Sequence, residues 1–283
     1  MEDLMADIQA DKQEGLAAHT NQITHVVGIM SGKGGVGKSL VTSLLACALR
    51  RAGHKVGILD ADVTGPSIPT MFGITEHPET TEHGIYPVKT GSGILLISIN
   101  LFLSHPGQAV VWRGPLLSNT VRQFYQDVFW GELDYLLIDL PPGTSDIPLT
   151  IMQSLPLEGM VIVTSPQDLA AMVVRKAVDM CEKMNIPVLG LVQNMAFLTC
   201  AHCGEANYPF GKVDGEETAE AMGVPHLLDM PLDPELSARS DAGTLEDYAA
   251  NPLITETSTL VSRVQAAEAA RKARAADEDN PAS

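Results

Sequence analysis

Six short runs dominated by Val, Ile, Leu and Met, at residues 26–30, 55–59, 94–99, 135–138, 160–164 and 188–192, carry almost no polar alternation. A strand with one wet face alternates apolar and polar side chains, whereas a strand covered on both faces does not. Longer mixed segments at 38–52, 116–129 and 169–184 separate these runs and predict helices. The alternation predicts βαβ units, and so an α/β fold on a doubly wound, mostly parallel sheet. No linker composition interrupts residues 23–250, which are read as a single domain. Residues 1–22 lack a strong apolar face and predict a flexible segment. Residues 251–283 predict a helix, roughly at 254–275, followed by a disordered tail.

Charge removes several classes of function. The 283 residues hold 18 Lys and Arg against 35 Asp and Glu, a formal net charge of −17. Gripping a phosphate backbone or an anionic membrane needs clustered basic residues, so neither a nucleic acid nor a membrane is expected as a partner. No apolar stretch reaches the length of a membrane span, and the first twenty residues lack the basic and apolar regions of a secretory signal. Four cysteines are too few for a disulfide scaffold of this size. A cytoplasmic protein is expected.

The first run leads into Gly32, Lys33, Gly34, Gly35, Val36, Gly37, Lys38 and Ser39, which fit G-x-x-x-x-G-K-[ST]. An apolar strand before this pattern and an Ala/Leu-rich helix after it are the context that a phosphate-binding loop requires. The glycines let backbone N–H groups curl around phosphate oxygens at the positive end of the helix dipole. ATP is the expected ligand, with Lys38 reaching its β- and γ-phosphates and the Ser39 hydroxyl ligating Mg2+. Lys33 is a second lysine in a loop whose ordinary lysine is already supplied. In that form the loop resembles the deviant Walker A group that includes MinD, ParA and the nitrogenase iron protein, which implies that Lys33 reaches a partner's nucleotide across a dimer interface.

Carboxylates end two of the runs. Asp60 and Asp62 follow residues 55–59 and fall on one side of an extended chain, at the strand end where open α/β sheets bind ligands. Both could therefore aim at Mg2+ or at the attacking water, and Asp62 is the one assigned to that role. Asp139, in Ile-Asp-Leu-Pro-Pro-Gly at 138–143, looks like a Walker B aspartate that holds Mg2+ directly or through water. Asp146 reads as a helix-capping or turn residue. Asn194, read as the end of the strand at 188–192, offers an amide to an adenine edge. Pro231 resembles the loop that closes over adenine in the same superfamily.

Cys200 and Cys203 form a C-x-x-C in a polar segment, whereas Cys47 and Cys181 sit inside apolar helix patterns and read as small buried side chains. A redox pair normally opens a helix, which Gly204 and Tyr208-Pro209 argue against. Zinc or an iron–sulfur cluster needs four ligands, and two copies of the chain related by a two-fold axis would bring two such pairs together. His202 reads as a solvated loop residue.

With these motifs in order, the chain resembles the Mrp/ApbC family of iron–sulfur cluster carrier ATPases from about Val26 to Asp247. The resemblance includes Asp60-Ala61-Asp62 with the residues to Pro69, Trp112-Arg113-Gly114-Pro115, the Asp139 motif, Ser165-Pro166-Gln167-Asp168, and Asn194-Met195 followed by Cys200 and Cys203. It implies a MinD- and nitrogenase-iron-protein-like P-loop NTPase. It also implies a homodimer that holds a [4Fe–4S] cluster between C-x-x-C turns, slowly hydrolyses ATP, receives clusters from an assembly scaffold and passes them to apoproteins. Thr64, Ser145, Gln193, Ala171 and Met172 depart from the residues the family often has there. A MinD- or ParA-like positioning ATPase and a zinc-bridged dimeric scaffold are the alternatives, and the cysteine turn discriminates against the first.

Overall fold

The computed structural model describes residues 21–62, 67–102, 114–166 and 170–278. In chain order its elements are β1 (Gln22–Ser31), α1 (Lys38–Arg51), β2 (Val56–Asp60), α2 (Ser67–Met71), β3 (Glu79–Thr81), β4 (Gly84–Tyr86), β5 (Val88–Lys89) and β6 (Leu95–Ser98). They continue with α3 (Gly114–Asp127), β7 (Glu132–Asp139), α4 (Asp146–Ser154), β8 (Gly159–Thr164), α5 (Ala170–Lys183) and β9 (Val188–Thr199). The chain closes with β10 (Ala206–Asn207), α6 (Gly215–Met222), β11 (His226–Pro231), α7 (Pro234–Asp241) and α8 (Thr257–Glu278).

Among the described residues nine strands make one sheet, and β3 pairs with β4 in a separate hairpin. Parallel pairing runs β6-β2-β7-β1-β8-β9-β11, with β5 antiparallel at the β6 edge and β10 antiparallel on β9. β1 lies centrally between β7 and β8, with the chain winding outward to both sides.

The lack of polar alternation has a direct explanation in the packing. Side chains of one strand alternate between two apolar layers. Val26, Met30, Leu136, Ile138, Met160 and Ile162 enter the layer under α3, α4 and α5. Val27, Ile29, Tyr135, Leu137, Val161 and Val163 enter the layer under α1, α7 and α8. Both faces are therefore dry. The C-terminal helix α8 joins the second layer through Leu260 and Val264, both fully buried.

The six strand runs and the four helices read from the sequence, the C-terminal one included, are all present within a few residues. Three assignments change. The strand at 188–192 continues to Thr199, so Asn194 lies inside β9 and not at its end. Pro231 is the last residue of a strand, β11, and not part of a loop. Asp146 is the first residue of α4, with Ser145 in the N-cap position. The sequence reading did not assign α2, α4, α6, α7, β11 or the short strands, which are too brief or too mixed to show a period. Of the segment at 1–22 read as flexible, Gln22 opens β1, and the helix read to about residue 275 runs on to Glu278 into the proposed tail. Residues 1–20 and 279–283, with Thr64, Trp112, Arg113, Gln167 and Asp168, lie outside the described residues.

Candidate nucleotide site and cysteine turn

β1 and α1 are joined at the C-terminal edge of the sheet by residues 32–37, where the sequence placed a phosphate loop. Gly35 and Gly37 have φ of +79° and +84°, the left-handed region that a Cβ disfavours, and this lets the loop curl. Gly37 is the N-cap of α1, with no side chain capping the first turn, so its N–H groups remain for an anion. A cavity of 260 Å3 opens there, lined by loop glycines together with Lys38, Ser39, Asp62 and Pro142.

The polar centre of the site forms where three strands end. β2 and β7 are in register so that Asp60 lies beside Asp139, and both carboxylates are completely buried. Lys38 Nζ lies 2.7 Å from Asp139 Oδ2 and 3.3 Å from Asp62 Oδ2. Ser39 Oγ donates to Asp139 Oδ2 at 2.6 Å, and Thr42 Oγ1 donates to Asp139 Oδ1 at 2.7 Å. Burial by itself would lower the Lys38 pKa, but the charges of Asp139 and Asp62 outweigh it and raise it above 10.5. Asp60 sits behind this cluster, accepting from Ser98 Oγ at 2.8 Å and from the Asp62 N–H at 3.1 Å. Burial, and then the charge of Asp139, push the Asp60 carboxyl well above its ordinary value.

The donor set suits Mg2+. Ser39 Oγ, Asp139 Oδ2 and Asp62 Oδ2 are hard oxygen donors, and the Lys38 ammonium already stands among them as a cation. Two contributors were not read from the sequence. Thr42 follows Lys38 by four residues, so helical spacing puts both on one face of α1, a signal that was available. Ser98 is 38 residues from Asp60 and becomes its partner only through the β2–β6 pairing.

Lys33 lies half-buried in the loop, its carbonyl accepting from Ser31 Oγ at 2.9 Å. Asn194 is buried and donates from Nδ2 to the Val36 carbonyl at 2.9 Å, so its amide braces the phosphate loop. Pro231 pairs with Phe197 at the end of β11.

The cysteine pair occupies a turn between β9 and β10. The Cys200 N–H bonds the Glu205 carbonyl at 2.9 Å, and the Gly204 N–H bonds the Cys200 carbonyl at 2.9 Å. Cys200 is half-buried and Cys203 exposed. Backbone N–H groups of Cys203 and His202, then the Cys203 side chain, lower the Cys200 pKa from 9.0 and favour its thiolate. Cys47 and Cys181 are buried, and burial pushes each thiol up to about 12. Among the described residues no group of three or more His, Cys, Asp or Glu side chains is gathered to hold a metal ion, so the turn offers two thiols.

A protein-family model described as "ParA: NUBPL iron-transfer P-loop NTPase" matches residues 22–265. The chain belongs to this family. The NUBPL-family chain is 46% identical over 247 residues to an iron–sulfur cluster carrier protein of Clostridium perfringens, covering 84% of this chain and 87% of that one. It is 42% identical over 251 residues to the cytosolic Fe–S cluster assembly factor NUBP2 of Bos taurus, covering 86% and 92%. A nucleotide-binding protein from Archaeoglobus fulgidus, solved in complex with ADP, superposes with a TM-score of 0.72 at 45% identity over 80% of this chain and 89% of that one. MinD of Pyrococcus horikoshii superposes with a TM-score of 0.62 at 22% identity, over 85% of this chain and 96% of that one, which establishes the shared fold. The family is thus one of iron-transfer P-loop NTPases whose curated relatives include iron–sulfur cluster carrier proteins, and this NUBPL-family chain has a MinD-like fold. No helix among its described residues is long and apolar enough to cross a membrane.

Proposed function

We propose that the protein holds a [4Fe–4S] cluster between two copies of itself, each contributing Cys200 and Cys203, and passes it to apoproteins under the control of ATP binding and hydrolysis. The observation that carries this reading is the cysteine turn. It presents two thiols at the surface, one of them favoured as thiolate, with no third ligand gathered around them among the described residues. Four-thiolate coordination then requires a second chain. The two-lysine loop supports the same assembly, with Lys33 serving the partner's nucleotide.

At the nucleotide, N–H groups of the loop and the Lys38 ammonium would bind the β- and γ-phosphates. Ser39 and Asp139, with Asp62 nearby, would hold Mg2+, whose charge neutralises phosphate oxygens. Lys38 would leave Asp139 to do so. Asp62 would orient the attacking water, and Asn194 and Pro231 would flank the base. The cluster donor would be an assembly scaffold, and the cytosolic names of its relatives support a cytoplasmic location.

Anaerobic reconstitution with iron and sulfide, followed by iron counting and mass measurement in solution, tests the reading. About four iron atoms per two chains, with a brown chromophore, are expected. Cys200→Ser or Cys203→Ser alone should abolish stable binding. A full cluster on a monomer would overturn the bridged arrangement. A colourless dimer that binds zinc and refuses iron would favour the structural-scaffold alternative.

A further inference from the structure

We propose that Asn194 and Met195 are positioning residues that link the set of the phosphate loop to the set of the cysteine turn, so that nucleotide binding changes how Cys200 and Cys203 are presented. The inference rests on the carrier reading above and adds a physical route by which one site governs the other.

The route is strand β9. Its inner half is held in the sheet, with Gln193 paired to Thr164 of β8 and to Asp229 of β11. The next pairing to β11 is Phe197 with Pro231, so two steps on β11 span four on β9 and the ladder breaks over residues 194–196. Met195 lies in this break with φ of +60°, left-handed backbone on a residue that is neither glycine nor a turn former. Bulges of this kind redirect side chains and concentrate near functional sites.

What the bulge redirects is Asn194. Its Nδ2 donates to the Val36 carbonyl at 2.9 Å, and a Cβ on Gly37 would lie 2.1 Å from that nitrogen and 3.9 Å from Met195 Cε. Loop crest and bulge interlock without slack. Asn194 is 2% exposed, so losing this bond would leave a buried donor unpaired. When phosphates draw Lys38 away from Asp139, the residues that must adjust include Val36 and Gly37, which are the ones seated on Asn194.

Beyond the bulge the chain is firm again. The Leu232 N–H donates to the Phe197 carbonyl at 2.7 Å, Leu198 and Thr199 pair with Asn207 and Ala206, and Cys200 follows directly. A shift at residues 194–195 is therefore carried into the cysteine turn as a movement of the β9–β10 hairpin. The bulge is the joint between the two sites.

The test uses the full-length, metal-free protein and needs no cluster. Alkylation rates of Cys200 and Cys203 are followed by peptide mass mapping, without nucleotide and with Mg·ADP at least ten times above each variant's measured Kd. In the unaltered protein ADP should change the rate by about fivefold or more, the lower end of ordinary coupling between sites. Asn194→Leu removes the bond to Val36, and Met195→Gly removes the side chain beside Gly37 and frees the backbone held at φ of +60°. Each should abolish the ADP effect, whereas a purely structural role would shift the rates equally with and without ADP. Should Asn194→Leu fail to fold or to bind ADP, Met195→Gly decides alone, because no role toward nucleotide is assigned to it. Unchanged rates on adding ADP to the unaltered protein, or a full ADP effect in Met195→Gly, would overturn the proposal. Either result would leave the iron count, and with it the carrier reading, untouched.

Discussion

The Lys38 ammonium and the Asp139 carboxylate, 101 residues apart in the chain, meet at 2.7 Å with side chains 5% and 0% exposed. Lys38→Ala would leave the buried Asp139 carboxylate without the cation that lies against it. A buried charge stripped of its partner costs about 3–5 kcal/mol, so a loss of that order is expected in urea unfolding near neutral pH. The sign follows from the raised Lys38 pKa: its contribution is present below 10.5 and fades as pH rises through the higher folded value. Hydrolysis of ATP should be abolished in the same variant. Retained hydrolysis would remove Lys38 from the phosphates.

Lys33→Ala should separate the two lysines of the loop. Nucleotide binding, measured by calorimetry, should persist while hydrolysis is lost, because its role is assigned to the partner's site. Full turnover in this variant would exclude that assignment.

Thr42 holds the second oxygen of Asp139 from beneath. Thr42→Val deletes that bond at nearly constant shape and should cost about 1–3 kcal/mol of stability. It should also weaken nucleotide binding in Mg2+ more than binding in its absence. Thr42→Ser keeps the hydroxyl and should restore the Mg2+ dependence. A loss of stability alone, with the Mg2+ dependence intact, would make Thr42 a packing residue.

Asp62 and Asp139 should divide their work. Asp62→Asn is expected to bind ATP and turn it over slowly, whereas Asp139→Asn should also lose Mg2+-dependent binding. The same loss at the same step in both variants would contradict the division.

The four cysteines should separate by reactivity. At pH 8 iodoacetamide should modify Cys200 and Cys203 and spare Cys47 and Cys181, whose buried thiols are pushed up to about 12. Cys200 alkylation should reach half its maximal rate below pH 9.0, since hydrogen bonds from Cys203 and His202 lower its pKa. Equal modification of Cys181 in the folded protein would place it outside the core.

The sequence by itself determined the parallel sheet, because strands dry on both faces have no polar alternation to display. It also determined the phosphate loop, the strand-end carboxylates and the cysteine pair, because each is contiguous in the chain and carries its chemistry in its residue types. The tertiary structure decided what lies between these pieces. The β2–β6 pairing gave Asp60 its partner Ser98, and the packing of α1 against β7 gave Asp139 its partner Thr42. The place of Asn194 was legible only as a polar residue near a strand end. Its contact with Val36 arises because β9 runs on to Thr199 and bulges beside β11, a break in register set by pairing between distant segments. Local pattern specifies which element forms, while long-range pairing and burial specify which side chains meet.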